Sequence, residues 1–227
     1  MRTKNNFYFF VLVVTALVFC SFSNKKTKVL IIGDSISIGY TPFVKENLSS
    51  KAIVKHNPWN AQHTGTGLKK VKEWIGNEDW DIIQFNWGLW DLCYRHPDAK
   101  VYGNRDKVNG NVTFSLEEYE KNLEDIIRSI KQVSDAQLIF VTTSYVPKYE
   151  AGRFKKDAQK FNKVAKRVMK KYDIKVNDIY KKSKVIHKEF GKGDDDVHYS
   201  KEGYKKLAKI LSEFLSEEIR KINTKQL

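Results

Sequence analysis

Residues 28–35 read Lys-Val-Leu-Ile-Ile-Gly-Asp-Ser. Lys28 to Gly33 is a short, almost continuous apolar run, the pattern of a strand covered on both faces, as in a parallel sheet. Similar runs follow at Ala52–Lys55, Trp80–Phe85, Gln137–Thr142 and Ile174–Val176. Helical patterns lie between them. Ser115 with Glu118 forms a capping box, and Leu116, Tyr119, Leu123, Ile126, Ile127 and Ile130 make one apolar face. Phe154, Ala158, Phe161, Ala165, Val168 and Tyr172 make a second face, and Tyr204, Leu207, Leu211, Phe214 and Ile219 the last. Strands alternating with helices predict a doubly wound α/β fold of three layers, with helices on both faces of a flavodoxin-like parallel sheet of about five strands. Neither a repeat nor a linker interrupts residues 24–227, which read as one domain. The stretch Cys93–Thr113 has no periodicity. A connection that long is usually functional or mobile, and this one begins at a strand's C-terminal end, where sites form in this fold class.

The 227 residues include 41 Lys plus Arg and 27 Asp plus Glu, a net charge of +14. Hydrophobic residues at 41% and aromatics at 13% exclude disorder for the chain as a whole. Two cysteines exclude a disulfide scaffold or a cysteine-based zinc module. Residues 1–23 read as a secretory signal. Arg2 and Lys4 precede the apolar run Phe7–Phe19, and Ser21 and Ser23 are small residues suited to cleavage. The run is too short for a comfortable transmembrane span. Cleavage would leave 227 − 23 = 204 residues with a charge of 14 − 2 = +12 and the single cysteine Cys93. The expected location is therefore periplasmic or secreted. Cys20 opens a lipoprotein reading, which Phe19 disfavours. The positive charge suits an anionic partner, and a solvated excess of lysine explains it as well. An exported chain argues against nucleic acid as that partner.

A serine at a strand end beside glycine can expose its hydroxyl, but it needs a base to become a nucleophile. Asp194-Asp195-Asp196-Val197-His198 supplies one. Asp195, three residues before His198, is expected to hold one ring nitrogen while the other faces Ser35. Each motif alone is weak: Gly-Asp-Ser is often a turn or cap, and three aspartates can be a solvated loop or a cation site. Ser37 stands where the nucleophile elbow of the α/β-hydrolases has glycine. Gly65-Thr66-Gly67 lacks the residues that would make it a phosphate loop.

At these residues the chain resembles the SGNH, or GDSL-like, hydrolases, and the resemblance spans essentially all of residues 24–227. The first block is Gly33-Asp34-Ser35, the second Asn60 to Gly65, and the last Asp195 to His198 with Gly203-Tyr204. The resemblance implies an exported serine esterase. Ser35 is then the nucleophile, His198 the base and Asp195 its orienting acid, with the N–H groups of Ser35 and Gly65 in the oxyanion hole. In the third block, Gly88-Leu89-Trp90-Asp91, Trp90 occupies the position of the family's asparagine donor. Trp90 or Asn86 is left as the third donor; losing one such donor costs about 100- to 1,000-fold in rate. His63, Arg95 and His96 are candidates for substrate contact, and Trp59, Trp87, His56 and His187 for structural roles. The resemblance implies an acylated carbohydrate as partner, acetyl as the acyl group, and no metal or organic cofactor. A carbohydrate O-acyltransferase and a non-catalytic glycan-binding relative are the competing readings.

Overall fold

The computed structural model describes residues 26–225; the expected leader and Cys20 lie outside the described residues. The chain runs β1 (Thr27–Ile32), α1 (Ser35–Asn47), β2 (Ala52–His56), α2 (Thr64–Ile75) and β3 (Ile82–Phe85). Two short strands follow, β4 (Tyr94–Arg95) and β5 (Asn111–Val112), then α3 (Leu116–Lys131) and β6 (Gln137–Val141). The remainder is α4 (Asp157–Lys171), β7 (Lys175–Asn177), α5 (Tyr180–Phe190) and α6 (Lys201–Lys225).

The main sheet has five strands in the order β2-β1-β3-β6-β7. Every neighbouring pair is parallel, with Val29 opposite both Val54 and Ile82. Val29, Ile31, Ile32, Ile82, Ile83 and Phe85 have no exposed surface, as the unbroken apolar runs require. Two groups of helices provide the cover: α1 packs on α6 and α6 on α5, whereas α2 packs on α3 and α3 on α4. The capping box at the start of α3 is present, with Glu118 N–H donating to Ser115 Oγ and Ser115 N–H to the Glu118 carboxylate. Behind it Tyr119, Leu123, Ile126, Ile127 and Ile130 are buried, each favouring the folded state by about 1.5–3 kcal/mol relative to exposure.

Strand order reverses between β1 and β3, so a crevice opens beyond their C-terminal ends. Ser35 leaves β1 at this crevice, and Trp90 follows β3 into it. The long stretch after Cys93 is more ordered than its sequence suggests. β4 pairs with β5 antiparallel, around a 3₁₀ turn at Tyr102–Asn104. The ribbon is fastened to the loop after β6 by Tyr94 N–H to Gly152 O at 2.6 Å and Lys107 N–H to Ala151 O at 2.9 Å. No described helix is long and apolar enough to cross a membrane.

Candidate active site

Ser35 is the first residue of α1, and Asp34 is its cap, accepting the Ile36 N–H at 2.9 Å. Ser35 therefore sits at the positive end of the helix dipole, where backbone N–H groups lack intrahelical partners. Its Oγ lies 2.9 Å from His198 Nε2. His198 Nδ1 lies 2.5 Å from Asp196 Oδ1, and the same oxygen accepts the His198 backbone N–H at 2.9 Å. A carboxylate on Nδ1 requires the proton there, which leaves Nε2 as acceptor for the serine O–H. Burial raises the Asp196 carboxyl, but the His198 hydrogen bonds and nearby positive charge outweigh it and hold the group below its usual value.

The acid on His198 is thus Asp196, where the three-residue spacing pointed to Asp195. Asp194 and Asp195 form a turn after Gly193, whose φ is +144°. Tyr149 N–H pins this turn by donating to Asp194 O, and Asp195 is left exposed. Asp196 emerges from the turn facing back at His198. His187 supports it from below. Its ring lies edge-on to Tyr145 and Tyr199, and Nε2 donates to Asp196 O at 2.7 Å.

A cleft of about 350 Å³ lies over Ser35 and His198. Trp90 and Arg95 line it, with the Arg95 guanidinium 4.9 Å from the centre of the Trp90 ring. Trp90 Nε1 makes no hydrogen bond among the described residues. Asn60 is the second-block residue on the cleft wall. Gly65 is not on that wall. It lies in the first turn of α2, where a Cβ would come 2.8 Å from the Phe114 ring. The chain bends through positive φ at Trp59 (63°) and Gln62 (52°), so the five-residue spacing from Asn60 leads away from the cleft. Asn86 faces away as well: its amide donates to Val141 O at 2.7 Å, and it lines a smaller neighbouring cavity.

Of the three candidates for substrate contact, only Arg95 reaches the cleft. His63 caps α2, accepts the Thr66 N–H and packs against Phe114. His96 accepts the Asp98 N–H in the outer turn. Trp87 is buried, but Trp59, expected in the core, is 88% exposed beside Asn60. Tyr102 and Arg105 also line the cleft, both within the aperiodic Cys93–Thr113 stretch, and Arg153 is a cleft residue that the sequence reading missed. Glu150 is only three residues from Arg153, but its pairing with Arg105, 45 residues away, is revealed only by the fold.

Gly88 and Asp91 hold the third block in place. Gly88 has φ +149°, and a Cβ there would lie 1.9 Å from Thr143 Oγ1. Asp91 is buried and accepts both Thr64 N–H and Thr64 O–H, tying the loop after β3 to the start of α2. Burial pushes its carboxyl up to about 7 against the pull of those bonds. A larger surface groove between α1 and α6, about 870 Å³, contains none of these residues. No cluster of His, Cys, Asp and Glu among the described residues is arranged to hold a metal ion.

The sequence profile described as GDSL-like lipase/acylhydrolase matches residues 29–211. No curated protein matches the chain. Among solved structures, a lipase/acylhydrolase from Enterococcus faecalis superposes with a TM-score of 0.67 at 22% identity, covering 85% of this chain and 96% of its own. An acetylxylan esterase from Geobacillus stearothermophilus gives 0.62 at 16% identity, covering 83% and 94%. These likenesses show a shared fold.

Proposed function

Because the chain belongs to the GDSL-like lipase/acylhydrolase family and is a serine esterase, we propose that it is exported and removes acyl groups, acetyl foremost, from a carbohydrate through a Ser35–His198–Asp196 acyl-enzyme mechanism. Ser35 Oγ attacks the ester carbonyl while His198 Nε2 takes its proton. Asp196 fixes the ring and stabilises the imidazolium that forms. The N–H of Ser35, at the start of α1, faces the developing oxyanion. Trp90 Nε1–H and the Asn60 amide are the further donors on the cleft wall. His198 returns its proton to the leaving alcohol, and water then releases the acyl group from Ser35 by the same route.

The observation that carries this reading is the unbroken hydrogen-bonded line from Ser35 to His198 to Asp196 at the mouth of a cleft. The carbohydrate half is supported by exposed aromatic surface, Tyr102 (85% exposed) on the cleft wall and Trp59 (88%) next in sequence to Asn60, and by the acetylxylan esterase among the structural neighbours. Export is supported by the pattern of residues 1–23; N-terminal sequencing of the exported protein is expected to begin at Asn24. The mechanism is tested with 4-nitrophenyl acetate and a panel of acetylated oligosaccharides. Ser35→Ala and His198→Ala are each expected to lose about 1,000-fold or more in kcat. Turnover that survives Ser35→Ala would overturn the mechanism.

A further inference from the structure

Three arginines reach the Ser35 cleft, Arg95 and Arg105 from the β4–β5 ribbon, where their backbones bridge one another, and Arg153 from the loop after β6, and the fold makes contacts that hold each of them there. Arg95 sits over the Trp90 ring and donates through Nη1 to Gly103 O. Arg105 donates through Nε to Tyr102 O and through Nη1 to Glu150. Arg153, only 5% exposed, donates through Nε to Leu89 O and through Nη1 to the same Glu150 oxygen. In all three, the Nη2 group has no hydrogen-bond partner among the described residues.

The charges do not balance. Glu150 is wholly buried behind the wall and serves two arginines with one negative charge. Among the described residues lining the cleft, the one acidic side chain is Asp196, already engaged by His198. A purely structural role explains Arg153, bonded to Leu89 O, and in part Arg105, paired with Glu150, but not Arg95, which has no acidic partner among the described residues. Arg95 and Arg105 are long enough to turn into water, where an unpaired charge is best solvated. Gly103 O and the Trp90 ring instead hold Arg95, and Tyr102 O with Glu150 holds Arg105, at the cleft beside an ester-cleaving serine. Planar guanidinium groups with unused N–H donors are suited to two-point recognition of an anion.

We propose that the cleft binds a carbohydrate carrying a negative group, a carboxylate or a sulfate, close to the ester that Ser35 cleaves. The ester rests on the function proposed above; the anion site does not. Arg95 and Arg105 hold the anion, Arg153 and Glu150 keep Arg105 in place, and Tyr102 covers a neighbouring sugar face.

The test is direct binding, by calorimetry, of an unacylated oligouronate, its carboxyl-reduced neutral counterpart and a sulfated oligosaccharide of equal length. The oligouronate or the sulfated sugar is expected to bind about tenfold or more tightly than the neutral one; whichever is tighter identifies the anion. The gap should narrow in Arg95→Gln, whose one polar anchor is a loop carbonyl, and close in the double variant with Arg105→Gln. Equal binding of charged and neutral sugars, binding of none of the three, or a gap that survives both substitutions would overturn the proposal. Turnover of 4-nitrophenyl acetate by the same preparation separates the two readings. Turnover without anion preference would leave the esterase and remove the anion site, and anion preference without turnover would do the reverse.

Discussion

At the Ser35 corner, each active group is placed by a neighbour in sequence. Asp34 caps the helix that begins with Ser35, and Asp196 holds His198 from two residues away. Across the cleft the opposite holds. Arg105 and Glu150 meet across 45 residues, and Arg153 reaches 64 residues back to Leu89 O. The first region is a set of short devices that work wherever β1 and α6 are brought together. The second is a wall whose parts depend on one another through buried charge. Chemistry built from local pieces can persist while a wall of that kind is rebuilt for another ligand.

The comparison can be broken most readily at the proposed triad acid. Asp196→Ala is expected to lower kcat about 1,000- to 10,000-fold and hardly move the melting temperature, because the pair with His198 is partly solvated. Asp195→Ala should stay within about twofold of the parent in the same assay. The reverse ranking would return the role to Asp195. On the wall the expectation is inverted. Glu150→Gln leaves Arg153 buried without its counter-charge and should cost about 3–5 kcal/mol in urea unfolding. A stability unchanged by this substitution would mean that the wall is not a buried-charge structure.

A smaller effect sharpens the boundary between the regions at Asp91. Its carboxyl is lifted from 3.8 to about 7 by burial, so between those values the folded state keeps a proton that the unfolded chain has released. The stability this contributes is complete below about pH 4 and is lost as pH rises through about 7. Asp91→Asn should remove that dependence, flattening the slope of stability between pH 5 and 7 by up to ~1.4 kcal/mol per pH unit. Matching slopes in the two proteins would show that Asp91 does not carry it.

Sheet, site end and three of the helices were legible because they depend on periodicity. The five apolar runs became the five main strands, and the faces read for α3, α4 and α6 are buried or half-buried apart from Phe154, which precedes α4 and is exposed. α1 escaped notice because its inner face mixes Ser37 and Thr41 with Ile36, Tyr40 and Val44, leaving no apolar stripe. Ser35 and His198 were readable as motif positions. Asp196 was not, because the choice between adjacent aspartates is made by a turn at Gly193 rather than by spacing. The placing of Gly65, His63 and Trp59 depended on two positive-φ residues that no residue type announces. Arg105 depended on Glu150, 45 residues away, and Arg153 on Leu89 O, 64 residues back, contacts visible only in three dimensions.

Ser35 and His198 stand 163 residues apart, brought together where Gly39 of α1 lets the Tyr204 ring of α6 approach its backbone. Under the proposed mechanism, a chain still leaving the ribosome carries its nucleophile long before its base exists, and one clipped ahead of His198 never acquires it. On that mechanism the catalyst is silent until its final segment has docked, so the appearance of esterase activity during refolding would clock the last step of assembly, not the first.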